Sequence, residues 1–228
     1  MITRTIAEQL AQDPRIGAAK KLFMEALADY QQRIEGVREG APDLKISYDA
    51  LIKGFGELRG GALFYPYLGS GIGRGALVEL ADGSVKYDFI SGIGVHHWGH
   101  SHPEVVEACL EAALKDTVMQ GNLQQNAESV SLAKTLLIAA NQKGARLDHC
   151  FFSTSGAMAN ENALKLAFQK KFPADRILAF EGCFMGRSST LSQVTDKPAY
   201  REGLPLTVPV DYVPFHDPSR EDQGAEVS

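Results

Sequence analysis

Ser155, Gly156 and Ala157 have types and a setting that could bind an anion. They follow the apolar residues 149–153, read here as a short strand, and open a helix running to about Phe168. The first amides of a helix lack partners inside it and stand at the positive end of its macrodipole. Gly156 lets a ligand come close to the backbone, and Ser155 adds a hydroxyl. Together they suit a phosphate group; taken alone they read first as an ordinary turn and cap. A second stretch, Phe180-Glu181-Gly182-Cys183-Phe184-Met185-Gly186-Arg187, follows a strand end, where α/β sheets place ligands. Phe184 can stack on a planar ring, and Arg187 can hold a carboxylate through two parallel hydrogen bonds. Read alone, these are a core phenylalanine and a surface arginine.

Other groupings resemble sites and read otherwise. His96-His97-Trp98-Gly99-His100-Ser101-His102 has an i, i+4 histidine pair, but Gly99 and Pro103 argue against a helix, so no metal is expected. Gly71-Ile72-Gly73-Arg74-Gly75-Ala76 approximates a dinucleotide fingerprint, but a strand follows it where that motif needs a helix. Cys183 has no visible Cys-His pairing and reads as a structural thiol.

The elements that must position these residues follow from periodicity. Residues 1–60 read as a helical arm, with Leu22, Phe23, Ala26, Leu27 and Tyr30 on one face poised to pack on another domain or subunit. Residues 54–75 are glycine-rich and read as loop. Residues 76–90 form a β-hairpin, with Asp82-Gly83 supplying positive φ angles at the turn, and a glycine-rich bend covers 91–99. Pro103 opens a helix capped by Ser101 or His102, with Val106, Leu110, Ala113 and Leu114 as its buried stripe. Gly121-Asn122 ends that pattern, and another helix covers 127–141. Strands are then expected at 149–153, 176–180 and 208–215, alternating with helix. That alternation makes the fold α/β with a mainly parallel sheet.

Composition sets the outer bounds. The 228 residues are 44% apolar and 22% charged, enough for a real core. The net charge of −5 argues against a nucleic-acid or anionic-membrane binder. Three widely spaced cysteines fit a reduced, cytoplasmic protein. No apolar run reaches the roughly 20 residues of a membrane helix, and the opening residues do not read as a secretory signal.

Read together, the two stretches carry a family resemblance. Phe151-Phe152-Ser153-Thr154-Ser155-Gly156-Ala157-Met158-Ala159-Asn160-Glu161-Asn162-Ala163-Leu164-Lys165-Leu166-Ala167 is similar to the class III aminotransferase pattern F-F-x-x-S-G-A-E-A-N-E-x-A-x-K-L-A. Phe184-Met185-Gly186-Arg187 resembles its F-H-G-R, and Lys197-Pro198-Ala199-Tyr200 follows in order. Upstream, Asp82-Gly83 with Tyr87-Asp88-Phe89, then Gly99-His100-Ser101-His102-Pro103, resemble D-G-x-x-Y-x-D-F and G-H-x-H-P. Met158 and Met185 replace the family's Glu and His, and Gln124-Gln125 stand where aromatics are common.

The resemblance implies a fold-type I pyridoxal-phosphate-dependent transferase of the ornithine, acetylornithine and 4-aminobutyrate type. Residues 61–100 would begin its small domain and 101–228 would be the first part of its large cofactor domain. It implies pyridoxal 5'-phosphate as cofactor, with Gly156 and Ala157 donating N–H groups to the phosphate beside Ser155. Phe184 would cover one face of the ring, and Arg187 would pair with a substrate carboxylate. The reaction implied moves an amino group between an amine or amino acid and a 2-oxo acid, in a homodimeric parent.

The family's acid at the pyridine nitrogen and its Schiff-base lysine lie in motifs this chain lacks. The resemblance assigns that lysine's role to none of Lys165, Lys170, Lys171 and Lys197, so no catalytic residue is named. The 228 residues are accordingly expected not to transaminate alone. A non-catalytic remnant or partner-pairing half-domain is the competing expectation, and an aminomutase on the same scaffold is a third.

Overall fold

The computed structural model describes residues 4–115 and 126–216. Gly121, Asn122, Gln124, Gln125 and the polar stretch 217–228 lie outside them. The chain divides into two compact units, 1–125 and 126–228.

The first unit begins with α1 (Ile6–Ala11), closed by a capping box between Thr5 and Glu8. Asp13 caps α2 (Pro14–Gln31), whose first residue is proline, where the missing N–H costs nothing. The apolar face expected on this helix is largely uncovered: Leu22 is 66% exposed and Phe23 61%. α3 follows (Pro42–Leu58) and runs through Gly54 and Gly56.

Here the loop expected at 54–75 is corrected at both ends. Gly56 is buried under the returning chain, where a Cβ would lie 3.4 Å from the Ala62 Cα and the Gly61 oxygen. At the other end Gly69–Arg74 is strand β1. A strand needs only backbone donors and a partner, so glycine composition does not forbid it. The partner is β2 (Leu77–Leu80), antiparallel, with Gly73 opposite Val78.

β2 continues through a tight turn into β3 (Val85–Tyr87), with Val78 opposite Lys86. Gly83 alone takes positive φ, at 79°. The Ala81-Asp82-Gly83 turn is thus a three-residue loop with glycine at the left-handed position. The Asp82 carboxylate accepts from the Ser84 N–H at 2.9 Å and the Ser84 hydroxyl at 2.6 Å. The Ser84 hydroxyl foremost holds the Asp82 carboxyl below the usual carboxylate range, against the opposing effect of burial.

Val85 is fully buried, and Ile34 and Leu80 are at most 5% exposed. Burying one such side chain stabilises a fold by about 1.5–3 kcal/mol. After β3 comes a left-handed turn, α4 (Ser91–Gly94), then α5 (Pro103–Ala112). His102 occupies the cap position of α5 without a side-chain bond. Of the expected α5 stripe, Val106 and Leu110 are half-buried, while Ala113 and Leu114 are exposed.

Polar clamps fasten α2 within this unit. The Gln31 Nε2 donates to the Gly73 carbonyl at 2.8 Å and the Ser101 carbonyl at 2.9 Å. The Lys20 ammonium pairs with Glu111 at 2.6 Å and Glu107 at 3.1 Å on α5. Those two carboxylates, Glu111 first, raise the Lys20 pKa.

The second unit holds α6 (Ala127–Asn141), capped by Asn126, and α7 (Gly156–Lys171). β4 (Ile177–Phe180) and β5 (Val210–Val213) pair in parallel, Ile177 opposite Val210. Between them lie α8 (Leu191–Val194) and a 3-10 turn (Pro198–Tyr200). The core sits at α8, where Leu191, Val194 and Thr195 are at most 2% exposed.

The strand expected at 149–153 is absent from the ladders of the described residues. β4 pairs only with β5 among them, and an apolar run without a neighbouring strand has no ladder to join. No helix of the described residues is long and apolar enough to cross a membrane.

Candidate functional site

Ser155 is extended, with φ −162° and ψ 163°, and caps α7 by accepting the Met158 N–H on its hydroxyl at 3.2 Å. Its carbonyl accepts the Ala159 N–H at 2.9 Å, which starts the helical ladder. The amides of Gly156 and Ala157 precede that ladder and have no acceptor among the described residues. A Cβ placed on Gly156 would meet nothing within 4 Å. The helix end thus presents free N–H groups to open space, an arrangement that fits a phosphate ester.

The second stretch is folded directly against this helix end. Gly186 has φ +140°, a conformation that side chains disfavour. A Cβ there would lie 2.7 Å from Leu191 Cδ1 and 3.1 Å from Ala157 Cβ. Only glycine lets the loop approach α7 so closely. The Asn160 side chain donates to the Met185 carbonyl at 2.8 Å. The Ser188 hydroxyl donates to the Glu161 carboxylate. Behind the loop, the Asp196 carboxylate accepts from the Gly182 N–H at 2.8 Å.

The structure therefore brings Ala157 and residues 185–186 together. Phe184 is 63% exposed, its ring edge-on to Tyr200 at 6.3 Å. Arg187 is exposed, with no hydrogen bond or ion pair to any described residue. Met158, where the family has Glu, is 45% exposed. Sequence reasoning missed the fasteners Asn160 and Glu161. Polar side chains in the first turns of α7 were the available signal, but nothing in their spacing names a partner 25 residues on.

The groupings set aside from the sequence have other settings. His96 and His100 stack at 4.4 Å, and the His100 Nε2 lies 2.8 Å from the Asp88 carboxylate. With Ser91 and Trp98 they line a cavity of about 310 Å³ in the first unit. The Ser91 N–H foremost, with His100 and the Ile90 N–H, holds the Asp88 carboxyl below its usual range, while burial opposes this. No group of three or more His, Cys, Asp or Glu is placed to hold a metal among the described residues. Gly71 and Gly73 lie in β1, with another strand after it. The Cys183 thiol donates to the Val194 carbonyl at 3.4 Å and is half-buried.

Comparison with known proteins matches this chain to the family described as aminotransferase class-III over residues 70–227. The acetylornithine aminotransferase of Methanocaldococcus jannaschii is 38% identical over 154 residues, covering 64% of this chain and 36% of that protein. The acetylornithine aminotransferase of Methanopyrus kandleri is 37% identical over 147 residues, with the same coverages of 64% and 36%. The chain thus spans about a third of the length of the curated relatives it matches (36% of the first).

Among solved structures, the ornithine aminotransferase of Toxoplasma gondii ME49 aligns with a TM-score of 0.61 and 20% identity over 78% of this chain and 44% of that one. An S-selective transaminase from Arthrobacter sp. gives 0.58 and 18% over 67% and 35%. The mixed α/β architecture is that of fold-type I pyridoxal-phosphate-dependent aminotransferases over part of their length, as the sequence implied.

Proposed function

Because the chain belongs to the class-III aminotransferases, we propose that its second unit carries the phosphate end of a pyridoxal-phosphate site. The reaction served is amino-group transfer between an amine or amino acid and a 2-oxo acid. The cofactor, when bound, supplies the electron sink for that chemistry. Gly156 and Ala157 donate their N–H groups to phosphate oxygens, the Ser155 hydroxyl donates a third bond, and the α7 dipole favours the negative charge. Phe184 packs on one face of the cofactor ring and keeps water from it. Arg187, uncommitted and exposed, orients a substrate carboxylate.

The observation that carries this reading is the seating of Gly186 on Ala157. It sets the segment bearing the stacking and carboxylate-binding side chains beside the free amides. Lys165, Lys170 and Lys171 belong to α7, and Lys197 lies 4.8 Å above the Tyr200 ring. We assign none of them the cofactor-bearing role, so the 228 residues are proposed to bind without turning over. A second reading, a half-domain that only pairs with a partner, is favoured by exposed apolar residues around the β4–β5 sheet, such as Leu178 at 71% and Phe215 at 69%.

Equilibrium dialysis of the purified chain separates the readings. Pyridoxal phosphate is expected to be retained at least about tenfold more tightly than pyridoxal, which lacks the phosphate. Gly156→Pro removes one donor at a helix position that tolerates proline, after a residue already extended. It should cost about tenfold in pyridoxal-phosphate affinity with little change in thermal unfolding. Equal retention of both compounds would mean that the α7 end is only a capped helix.

A further inference from the structure

We infer that Thr195 is the positioning residue of this site, fixing the turn that aims Phe184 and Arg187; the inference rests on the pyridoxal-phosphate reading above. The Thr195 hydroxyl accepts the Met185 N–H at 2.9 Å and the Gly186 N–H at 3.3 Å, and donates to the Gly186 carbonyl at 2.9 Å. A hydroxyl has two lone pairs and one proton. All of its capacity is spent on two consecutive residues, at a position 2% exposed.

Those residues stand between Phe184 and Arg187 in the chain. Gly186 has φ +140°, which no intrahelical or sheet ladder supports, so both N–H groups of the turn and the Gly186 carbonyl depend on this one oxygen, while Asn160 holds the Met185 carbonyl. Thr195 is in turn held rigidly. Its N–H donates to the Leu191 carbonyl at 2.8 Å, and its carbonyl accepts from the Arg201 guanidinium at 3.2 Å. The same guanidinium donates to the Tyr212 hydroxyl on β5. The turn is thereby referred to the core of the unit and not to solvent.

The phosphate donors are differently placed. The Gly156 and Ala157 amides belong to α7 and owe their direction to the helix. Thr195 therefore governs the ring and carboxylate end of the site, while the phosphate end stands without it. This division distinguishes a positioning role from a merely structural one.

The test measures the affinity of the purified chain for pyridoxal phosphate and for inorganic phosphate, the latter through the Gly156 and Ala157 amide chemical shifts. Thr195→Val keeps the shape and removes the hydroxyl. It is expected to weaken pyridoxal phosphate about tenfold while leaving inorganic phosphate unchanged, and Thr195→Ser is expected to restore the wild-type value. If Thr195→Val does not fold, Thr195→Ala is compared with Thr195→Ser in the same way. Undiminished pyridoxal-phosphate affinity in the variant lacking the hydroxyl, or an equal fall for both ligands, overturns the proposal. Failure of the unaltered chain to prefer pyridoxal phosphate over pyridoxal instead overturns the reading of the site itself, before any change at Thr195 is made.

Discussion

Asp88 illustrates how much one side chain fixes. One oxygen accepts the Ile90 and Ser91 N–H groups at 2.8 and 2.9 Å, and the other lies 2.8 Å from His100. These bonds hold Ser91 at φ +50°. The Asp88 pKa is lowered on folding, so its stabilisation is complete above the unfolded value of about 3.9. It is lost as pH falls through the lower, folded value. An acid titration followed by near-UV circular dichroism should show stability dropping below about pH 4. Asp88→Asn should flatten that drop and cost about 1–2 kcal/mol at neutral pH, since the bond to His100 loses its charge. An unchanged acid limb would assign the drop to other carboxylates. At this scale the sequence named Ser155, Gly156, Ala157, Phe184 and Arg187 as candidates, because their neighbours form a recognisable pattern. It did not name Asn160 or Thr195, whose partners are set by how the chain folds back.

At the scale of elements, close contact between glycines joins β1 to the segment before α5. A Cβ on Gly73 would sit 2.4 Å from the His100 Cβ and 2.6 Å from the Leu77 carbonyl. One on Gly99 would sit 2.8 Å from the Gly75 Cα. Gly73→Ala should therefore destabilise by about 1–3 kcal/mol in thermal or urea unfolding. Gly17→Ala, in open space on α2, should instead be neutral or slightly stabilising. Similar losses for both would show that the seam carries no special strain. Helices were the legible elements: 127–141 agrees with its expected bounds, and Pro103 begins α5 as read. Strands were less so. β1 is three-fold glycine in six residues and carries no alternation, while the apolar 149–153 alternates no better and has no ladder among the described residues. Pairing is a property of two segments, and local composition reports only one.

For the whole molecule the salient quantity is apolar surface left in water. Phe151 is 63% exposed, Phe180 51% and Leu178 71% in the second unit, as are Ile46 at 80% and Leu58 at 88% in the first. Exposed groups of this kind around a short two-stranded sheet favour association. Light scattering of the purified chain should show mass rising with concentration, and a hydrophobic dye should fluoresce more strongly than with a compact monomer of this size. A concentration-independent monomer that binds no dye would contradict this. Part of this exposure was legible in the sequence, where the apolar face of 1–60 reads as poised to pack on another domain or subunit, but amphipathic stripes announce that a face will be covered without saying by what. Within the first unit, finally, one carboxamide joins α2, β1 and the segment before α5, both of its bonds being donated by Gln31 Nε2 to carbonyls. Hydrolytic ageing of that amide would replace a donor with an anion facing two carbonyl oxygens at an 8% exposed position. One slow deamidation would thus turn the arm's buried clamp into a repulsion and leave α2 held by the Lys20 pairs with Glu107 and Glu111.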